Sequence, residues 1–466
     1  MYNSYMNEVL GSEQVSLKDM LDAREERVAK QQNILSRYKI TLISFTLNIP
    51  GSYKAFHIVY KSFLEGKKLI KEHLKRYSLN IAYEEDSLSK TGYENFIAVD
   101  GNPQYIKELM VEIENSCLLG RIFDIDVLDT DGKKISREDI GEEGRRCLLC
   151  SEFAHVCSRS RNHTLEELIN KTIEIMIDYF SEKFANMCSA CASKALMYEV
   201  MTTPKPGLVD RVNNGSHKDM DIYTFIDSSE VLVYHFKDFV LAGIKYHSEH
   251  PQKLFERLRY MGMKAEDDMF KATKNVNTHK GLIFSMGIIC AALGFLFGNK
   301  MIIDVESILS ISKNMTESVL DDFKGITIEN AKTYGERLYA LHGIDGIRGE
   351  ASRGFISVKE YGLPVLKDLI NKGFSINDAG SLTLLNLIAN VKDTNIITRT
   401  DIETQRNVQS KIRNLIKENL ENISLQRISS LDKEFIDMNI SPGGCADLLA
   451  ITYMLYFIQE IYKDEY

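Results

Sequence analysis

The spacing of apolar residues changes along this chain. Up to about residue 136 they alternate or run in short blocks, and beyond about residue 164 they recur every three to four positions. The block KITLISFTLNI (39–49) is rich in β-branched and aromatic side chains, which suit a pleated surface. It predicts a buried strand that ends at the Pro50–Gly51 turn. NIAYEEDSLSKTGYENFIAVDG (80–101) predicts two strands about a polar turn containing Gly92, and RIFDIDVLDTDGKKIS (121–136) a hairpin turning at Asp131–Gly132. From Thr164 onward, TLEELINKTIEIMIDYFSEKF, CSACASKALMYEV and TFIDSSEVLVYHFKDFVLAGIKY carry a helical period. The pattern therefore predicts an α+β domain over 1–178 and a mostly all-α helical domain over 179–466, with the boundary inside one long connecting helix.

Length supports more than one core: 466 residues with 44% hydrophobic and 26% charged positions is an ordinary globular composition spread over two or three domains. A net charge of -9 argues against partners that are bound through bulk positive charge, so no nucleic acid and no membrane surface are expected. A locally basic phosphate pocket stays open. GLIFSMGIICAALGFLFGN (281–299) has no charge and is long enough to cross a bilayer. Its four glycines and its isolation predict instead a buried central helix that neighbours approach closely. MYNSYMNEVLGSEQ lacks the features of a signal peptide, so the eight cysteines read as reduced thiols of a cytoplasmic protein.

The helical part holds polar clusters that cannot be core. TTPKPGLVDRVNNGSHKDMD (202–221) contains two of the seven prolines, which end the preceding helix, and two glycines, Gly207 and Gly215. Thr224 is a candidate cap for the next helix. Alone, this reads as a polar surface turn. NTHKG (277–281), GIDGIRGEASRGF (343–355), VKDTNIITR (391–399) and SPGGCADLLA (441–450) repeat the same mixture of glycines, cations and carboxylates. The last of these predicts a helix beginning near Asp447, where that residue fits an N-cap. Together the clusters predict a composite polyphosphate site, with cations on phosphate oxygens and carboxylates for a hard cation such as Mg²⁺.

In the N-terminal part, Asp124 and Asp126 fall two apart on a predicted strand, so both carboxylates share one face while Phe123, Ile125 and Val127 take the other. A solvated strand face has the same look; a pair of carboxylates sharing Mg²⁺ is the functional reading. EEGRRCLLCSEFAHVCSRSRNH (142–163) spaces Cys147, Cys150, Cys157 and His163 as C-x2-C-x6-C-x5-H, which suits zinc. The segment also reads as a helix, and one helix does not wrap four ligands around an ion. Buried thiols acting as small hydrophobes are therefore the preferred reading. Arg145, Arg146, Arg159 and Arg161 read as a phosphate-facing cluster or a solvated basic face.

Two resemblances sharpen this picture. EVMTTPKPGLVDRVNNGSHKDMDIYTF, NTHKGLIFSMG, GIRGEASRGF, KDTNI and SPGGCADLLA, spread over residues 185–460, resemble the triphosphoribosyl-dephospho-CoA synthase family. That resemblance implies a mostly helical fold that joins ATP to 3′-dephospho-CoA and releases adenine. Breaking the glycosidic bond develops oxocarbenium character, which a carboxylate would stabilise, and the acceptor hydroxyl needs a base. Under this reading Lys205, Arg211, Lys280 and Arg348 hold phosphates, with Asn214, His279 and Asn395 as further substrate contacts. Asp219, Asp221 and Asp393 serve Mg²⁺ or the oxocarbenium, and Asp210, His217 and Glu350 are candidates for the base. AREERVAKQQ, LISFTLNIPGSYK, GRIFDIDVLDTDG and GRRCLLCSEFAHVCSRSRNH, over residues 15–175, look like the phosphoribosyl-dephospho-CoA transferase that modifies apo-citrate lyase. This implies a nucleotidyltransferase-like domain in which a serine of the apo-citrate lyase acyl carrier protein attacks the α-phosphate and pyrophosphate leaves. Asp124 and Asp126 would act through Mg²⁺, with Lys54, Arg159 and Arg161 on phosphate. A chain resembling both is expected to be a fusion of consecutive prosthetic-group enzymes. The alternatives are the same chemistry on a related decarboxylase carrier protein, and a non-catalytic nucleotide-binding protein.

Overall fold

Five antiparallel strands organise the N-terminal part of the computed structural model, which describes Met6, Val9 and residues 11–417 and 420–463. They are β1 (Thr41–Leu47), β2 (Asn80–Ser89), β3 (Gly92–Asp100), β4 (Phe123–Leu128) and β5 (Lys134–Ile135), in the order β2-β3-β1-β4-β5. The predicted strands are present, with a bend after β1 at Gly51–Ser52 and turns between β2 and β3 at Lys90–Thr91 and after β4 at Thr130–Asp131. Three helices accompany the sheet: α1 (Leu17–Tyr38), α2 (His57–Arg76) and α3 (Pro103–Ser116). The two-residue period of a strand sorts the faces. Ile43, Phe45, Ile97, Val99, Ile125 and Val127 join Ile58, Phe63, Ile106 and Met110 of α2 and α3 in the main core. Gly66 lets α2 approach: a Cβ there would lie 2.3 Å from Phe45 Cζ. On the opposite face Leu42, Phe96, Ala98 and Leu128 meet Ile34 and Leu35 of α1. That face turns polar towards one end, where Asp126 lies opposite Ser44 and Asp124 opposite Thr46.

The segment 142–163 is not the single helix its sequence suggests. Arg146 and Phe153 form an antiparallel bridge, with Cys147 N donating to Glu152 O (2.7 Å) and Ala154 N to Arg145 O (2.8 Å). Helix is confined to α4 (Ala154–Ser160).

The chain divides into two compact units, Met1–Glu182 and Lys183–Tyr466, and the division falls within the long helix α5 (Leu165–Met201). The second unit has no strand among its described residues. Its helices are α6 (Ile222–Lys245), α7 (Pro251–Ala272), α8 (Lys280–Gly298), α9 (Val305–Met315), α10 (Tyr334–His342) and α11 (Gly346–Ser352). They continue with α12 (Leu363–Asn371), α13 (Ile376–Asn390), α14 (Thr394–Arg399), α15 (Ile402–Ile416), α16 (Leu425–Asp437) and α17 (Gly443–Lys463). Two starts differ from the sequence reading. Asp221, not Thr224, caps α6: Thr224 N donates to Asp221 Oδ1 (2.9 Å) in a capping box. The helix α17 begins at Gly443, so Asp447 lies one turn inside it and is not its cap.

Helix α8, uncharged after its first residue Lys280, is the centre of this unit, with 83% of its most apolar window buried. Among the described residues it alone is long and apolar enough to cross a membrane, and it is covered by protein instead. Backbone meets backbone between α6 and α8. A Cβ on Gly243 would sit 2.1 Å from Ala291 O, and one on Gly294 2.0 Å from Val240 O. A side chain there must push the helices apart, a cost of overpacking of roughly 1–3 kcal/mol. Gly294→Ala is therefore expected to lower the thermal unfolding midpoint. Gly262→Ala, where nothing lies within 4 Å, should leave it unchanged or raise it. Equal midpoints for the two variants would contradict the close-approach argument.

Candidate functional site

The predicted polar clusters of the second unit converge on one cavity of about 600 Å³. The loop after α5 enters first. Gly207 holds φ +72° and has no room for a Cβ, which would lie 2.1 Å from Ile440 O. Its N–H donates to Asp432 Oδ1 (2.9 Å), and Asn213 Nδ2 donates to Asp432 Oδ2 (2.8 Å), so α16 anchors the loop. Asp210 closes it by accepting from the backbone N of Lys205 (3.1 Å), Val212 (2.7 Å) and Asn213 (3.1 Å).

Carboxylates gather at the inner end of the cavity. Lys205 and Glu199 form an ion pair, 2% and 4% exposed, and both line the cavity. Asp393 caps α14 through Oδ1, which accepts from Asn395 N (2.8 Å) and Ile396 N (3.3 Å). Its Oδ2 accepts from Cys445 N (2.7 Å) and so caps α17 as well. That second cap is why Asp447 is not needed as one. The Asp447 carboxyl lines the cavity with no hydrogen-bond partner among the described residues. Its oxygen approaches α8 where only glycine fits: a Cβ on Gly281 would be 2.5 Å from Asp447 Oδ2. Enclosure, then Glu199 and Asp393, push the Asp447 carboxyl well above the usual range. Burial likewise raises Glu199 against the pull of Lys205.

Two histidines face the same space. His217 Nε2 lies 2.9 Å from Ser441 Oγ, and burial with the nearby Arg399 charge holds its pKa below the ordinary value. His279 is 2% exposed, with Nδ1 2.7 Å from Ser228 Oγ. Thr278 Oγ1 donates to the same Ser228 Oγ (2.9 Å), which leaves the Ser228 proton for Nδ1 and assigns the ring proton to Nε2. Nε2 has no partner among the described residues. Burial and the Lys205 charge lower the His279 pKa to about 3.

The rim is cationic. Lys280 pairs with Glu266 (2.9 Å), Arg353 forks onto Asp345 (2.6 and 3.2 Å), and Arg399 donates to Asn439 Oδ1 (2.9 Å). Lys392 is exposed. The first turns of α8 and α17 also open onto the cavity at Lys280, Gly281, Gly443 and Gly444. The positive ends of two long helices make that end a place for anions. The arrangement can hold a polyphosphate at the rim while presenting carboxylates to a sugar or a metal ion further in.

Of the residues singled out in the sequence, Lys205, His217, His279, Lys280, Glu350, Asp393 and Asn395 line this cavity. Glu350 is engaged by Ser357, accepting from its N (3.2 Å) and Oγ (2.7 Å). Asp210, Arg211, Asn214, Asp219, Asp221 and Arg348 do not line it. Arg211 is exposed and donates to Asn377 Oδ1 (2.9 Å); Asn214 and Asp219 are exposed. Arg348 lies over the Phe323 ring (5.0 Å) and lines a separate, mainly apolar cavity. Glu199 escapes the sequence reading, although a lone acid in the apolar run CSACASKALMYEV is a visible signal.

A second constellation lies in the first unit. Asp126 pairs with Lys134 (2.6 Å), and Asp124 lies 4.0 Å from Arg145. Burial and Asp126 raise the Asp124 pKa, opposed by Arg145. Glu114, 2% exposed, binds both Arg137 and Arg145 and accepts from Ile125 N (3.2 Å). Arg121, Arg137, Arg145 and Arg146 line a small cavity of about 230 Å³. Lys54 donates to Ile49 O, and burial lowers its pKa; Arg159 and Arg161 are exposed and line neither cavity. Gly51–Ser52, a pair not singled out in the sequence, lies between β1 and α2.

Cys147, Cys150, Cys157 and His163 come together, with their ligand atoms all within 4.8 Å of one another. The bridge at Arg146–Phe153 and the shortness of α4 remove the objection that a single helix would have to supply all four.

Comparison with known proteins divides the chain in the same order. Residues 15–179 match the family model "CitX: Apo-citrate lyase phosphoribosyl-dephospho-CoA transferase", and residues 185–466 match "CitG: ATP:dephospho-CoA triphosphoribosyl transferase". The chain is 33% identical over 448 residues to "Protein CitXG" of Haemophilus influenzae, covering 94% of this chain and 95% of the relative. It is also 33% identical over 463 residues to "Protein CitXG" of Leuconostoc mesenteroides subsp. cremoris, covering 96% and 97%. Over 275 residues it is 39% identical to the "Probable 2-(5''-triphosphoribosyl)-3'-dephosphocoenzyme-A synthase" of Vibrio cholerae, covering 58% of this chain and 88% of the relative. The chain belongs to the CitXG fusion family, with a CitX part followed by a CitG part, and is a transferase.

The state of His279 can be read from stability. An unfolded histidine binds its proton near pH 6.5, whereas the folded one does so at about 3. Between those values the unfolded chain holds the extra proton, so stability falls as pH falls below about 6.5, by about 1.4 kcal/mol per pH unit. Urea unfolding at pH 7 and pH 5.5 is expected to show this loss in the wild type and a smaller loss in His279→Gln. An identical pH slope in both would mean that His279 is not buried as the neutral ring.

Proposed function

We propose that this member of the CitXG family catalyses two consecutive transfers that build and attach the citrate lyase prosthetic group. The family assignment supports the biosynthetic role; the division of labour is our reading. The CitG part, about residues 179–466, joins ATP to 3′-dephospho-CoA and releases adenine. The CitX part, about residues 1–178, is a nucleotidyltransferase-like domain that passes the product to a serine of the apo-citrate lyase acyl carrier protein and releases pyrophosphate. Both steps would take place in the cytoplasm.

The observation that carries the reading is the composition of the large cavity. Its cations and helix starts suit a triphosphate that is retained, and its inner carboxylates suit a sugar that becomes positive. In the ribosyl transfer the bond from the ribose C1′ to adenine breaks, and a bond forms from C1′ to a ribose hydroxyl of dephospho-CoA. Asp447, with no hydrogen-bond partner among the described residues, would face the developing oxocarbenium, whose positive charge would favour the ionised form that enclosure alone disfavours. His217, held neutral by burial, would take the hydroxyl proton. Glu350 is the second candidate base, but Ser357 engages both its oxygens. His279 would donate from Nε2 to a substrate oxygen, and Lys280, Arg353, Lys392 and Arg399 would meet the triphosphate.

The donor set fits Mg²⁺. Both oxygens of Asp447 are available, and Asp393 keeps lone pairs beyond those given to three backbone N–H groups. When bound there, Mg²⁺ would neutralise phosphate oxygens. In the CitX part, Asp124 and Asp126 offer carboxylates on one strand face for the same purpose, and Arg145 would stabilise charge on the α-phosphate.

Purified protein with ATP, dephospho-CoA and Mg²⁺ is expected to yield free adenine and a triphosphoribosyl adduct by mass spectrometry. Folded protein that binds ATP but releases no adenine would favour a nucleotide-binding protein instead. Asp447→Asn should lower adenine release about 10²–10³-fold, the scale of losing one preorganised electrostatic contact. Asp124→Asn with Asp126→Asn should leave adenine release intact and abolish the mass shift on the carrier. Carrier loading by that double variant would remove the two aspartates from the second transfer.

A further inference from the structure

We propose that Cys147, Cys150, Cys157 and His163 form a structural zinc site that fixes the arginine-bearing segment beside Asp124. The four side chains come from three separate local structures. Cys147 and Cys150 lie on the turn closed by the Arg146–Phe153 bridge, Cys157 on α4, and His163 in the loop beyond it. Each points its ligand atom to one place. Cys150 Sγ is 3.3 Å from Cys157 Sγ and 3.3 Å from His163 Nε2, and Cys157 Sγ is 3.8 Å from His163 Nε2. A tetrahedral zinc with bonds of about 2.3 Å to sulfur and about 2.1 Å to nitrogen separates its ligands by about 3.5–3.8 Å. The observed spacings need only small side-chain adjustments to reach that figure.

Core packing and a disulfide both account for the cluster less well. Thiols used as core filler would be covered, yet Cys150 and His163 are only half-buried. A disulfide would use two sulfurs and leave a third thiol and an imidazole aimed at it. The surrounding donors match thiolate ligands: Leu149 N lies 3.5 Å from Cys147 Sγ, and Asn162 Nδ2 3.8 Å from Cys157 Sγ. Such outer contacts orient and stabilise sulfur ligands.

The site has a mechanical consequence. Arg145 and Arg146 immediately precede Cys147, and Arg121 Nη2 donates to Cys147 O (2.8 Å). Arg145 in turn donates to Phe123 O (2.5 Å) on β4 and reaches Asp124. Zinc closes a short loop whose first residues form the arginine cavity, so it would hold Arg145 in register with the carboxylates.

The test uses the full chain, expressed with zinc in the medium and dialysed without strong chelator. Elemental analysis is expected to give about one zinc per chain, and Cys150→Ser and His163→Ala are each expected to lose it. Cys117→Ser, which lies outside the cluster, should keep it. Adenine release should survive in the zinc-free variants while carrier loading falls. If the variants fail to fold, cobalt exchanged into the wild-type chain gives a second readout, thiolate-to-cobalt absorption from a tetrahedral site. Zinc-free wild-type protein with reactive thiols, a Cys150–Cys157 disulfide found by mass spectrometry, or zinc retained in both cluster variants would overturn the proposal.

Discussion

The second unit depends on a buried carboxylate that is satisfied by backbone rather than by a cation. Asp393 is 1% exposed, and its two oxygens take backbone N–H groups from the starts of two helices, α14 and α17. Burial raises its pKa while the three N–H donors pull the other way. The balance ties α14 and α17 to a single point, because moving either start would strip a donor from a buried charge. The double cap has a further effect at α17. With its first turn served from outside, the helix needs no cap of its own, and Asp447 is released to face the cavity.

That freedom is useful only because of what lies opposite. The Asp447 carboxyl approaches α8 at Gly281, where any side chain would collide with it. The helix α8 can stand there because Gly243 and Gly294 let α6 and α8 touch along their backbones. The glycines of residues 281–299 that speak against a membrane span thus let α8 approach both α6 and the Asp447 carboxyl. Small residues are the legible sign; their role is not, because close approach needs a partner helix that lies far away in sequence.

Element types are legible in this chain and side-chain roles much less so. Strands, turns and long helices follow from apolar periodicity, a local property, and fall within a few residues of their expected places. Roles depend on what a carboxylate meets in space. Asp219, Asp221 and Asp210 stand in the most polar stretch, yet the last two serve the backbone and the first is exposed. Asp447 looks like a cap because a helix start is hard to locate when the capping residue comes from 52 positions away. Glu199 is inconspicuous because it sits in an apolar helix, and its significance rests on Lys205 folding back onto it. The cysteine segment mimics a helix for a related reason: its bridge between Arg146 and Phe153 leaves no period in the sequence.

The two units use buried carboxylates in opposite ways. In the second unit Asp393 is satisfied by neutral N–H groups rather than by a cation, and with Glu199 it helps push the Asp447 carboxyl upward. Carboxyls that disfavour one another's ionisation suit a cation or a cation-like sugar, whose charge would favour their ionised forms. In the first unit Glu114 is satisfied by two guanidinium groups, and the surplus there is positive. Arg137 and Arg145 are held by one buried anchor, while Arg121 and Arg146 extend the same cavity. A doubly bound acid of this kind does not neutralise the arginines so much as aim them, since each guanidinium has five donors and Glu114 can occupy only some of them. Arg145, so held, also reaches Phe123 O and lies 4.0 Å from Asp124.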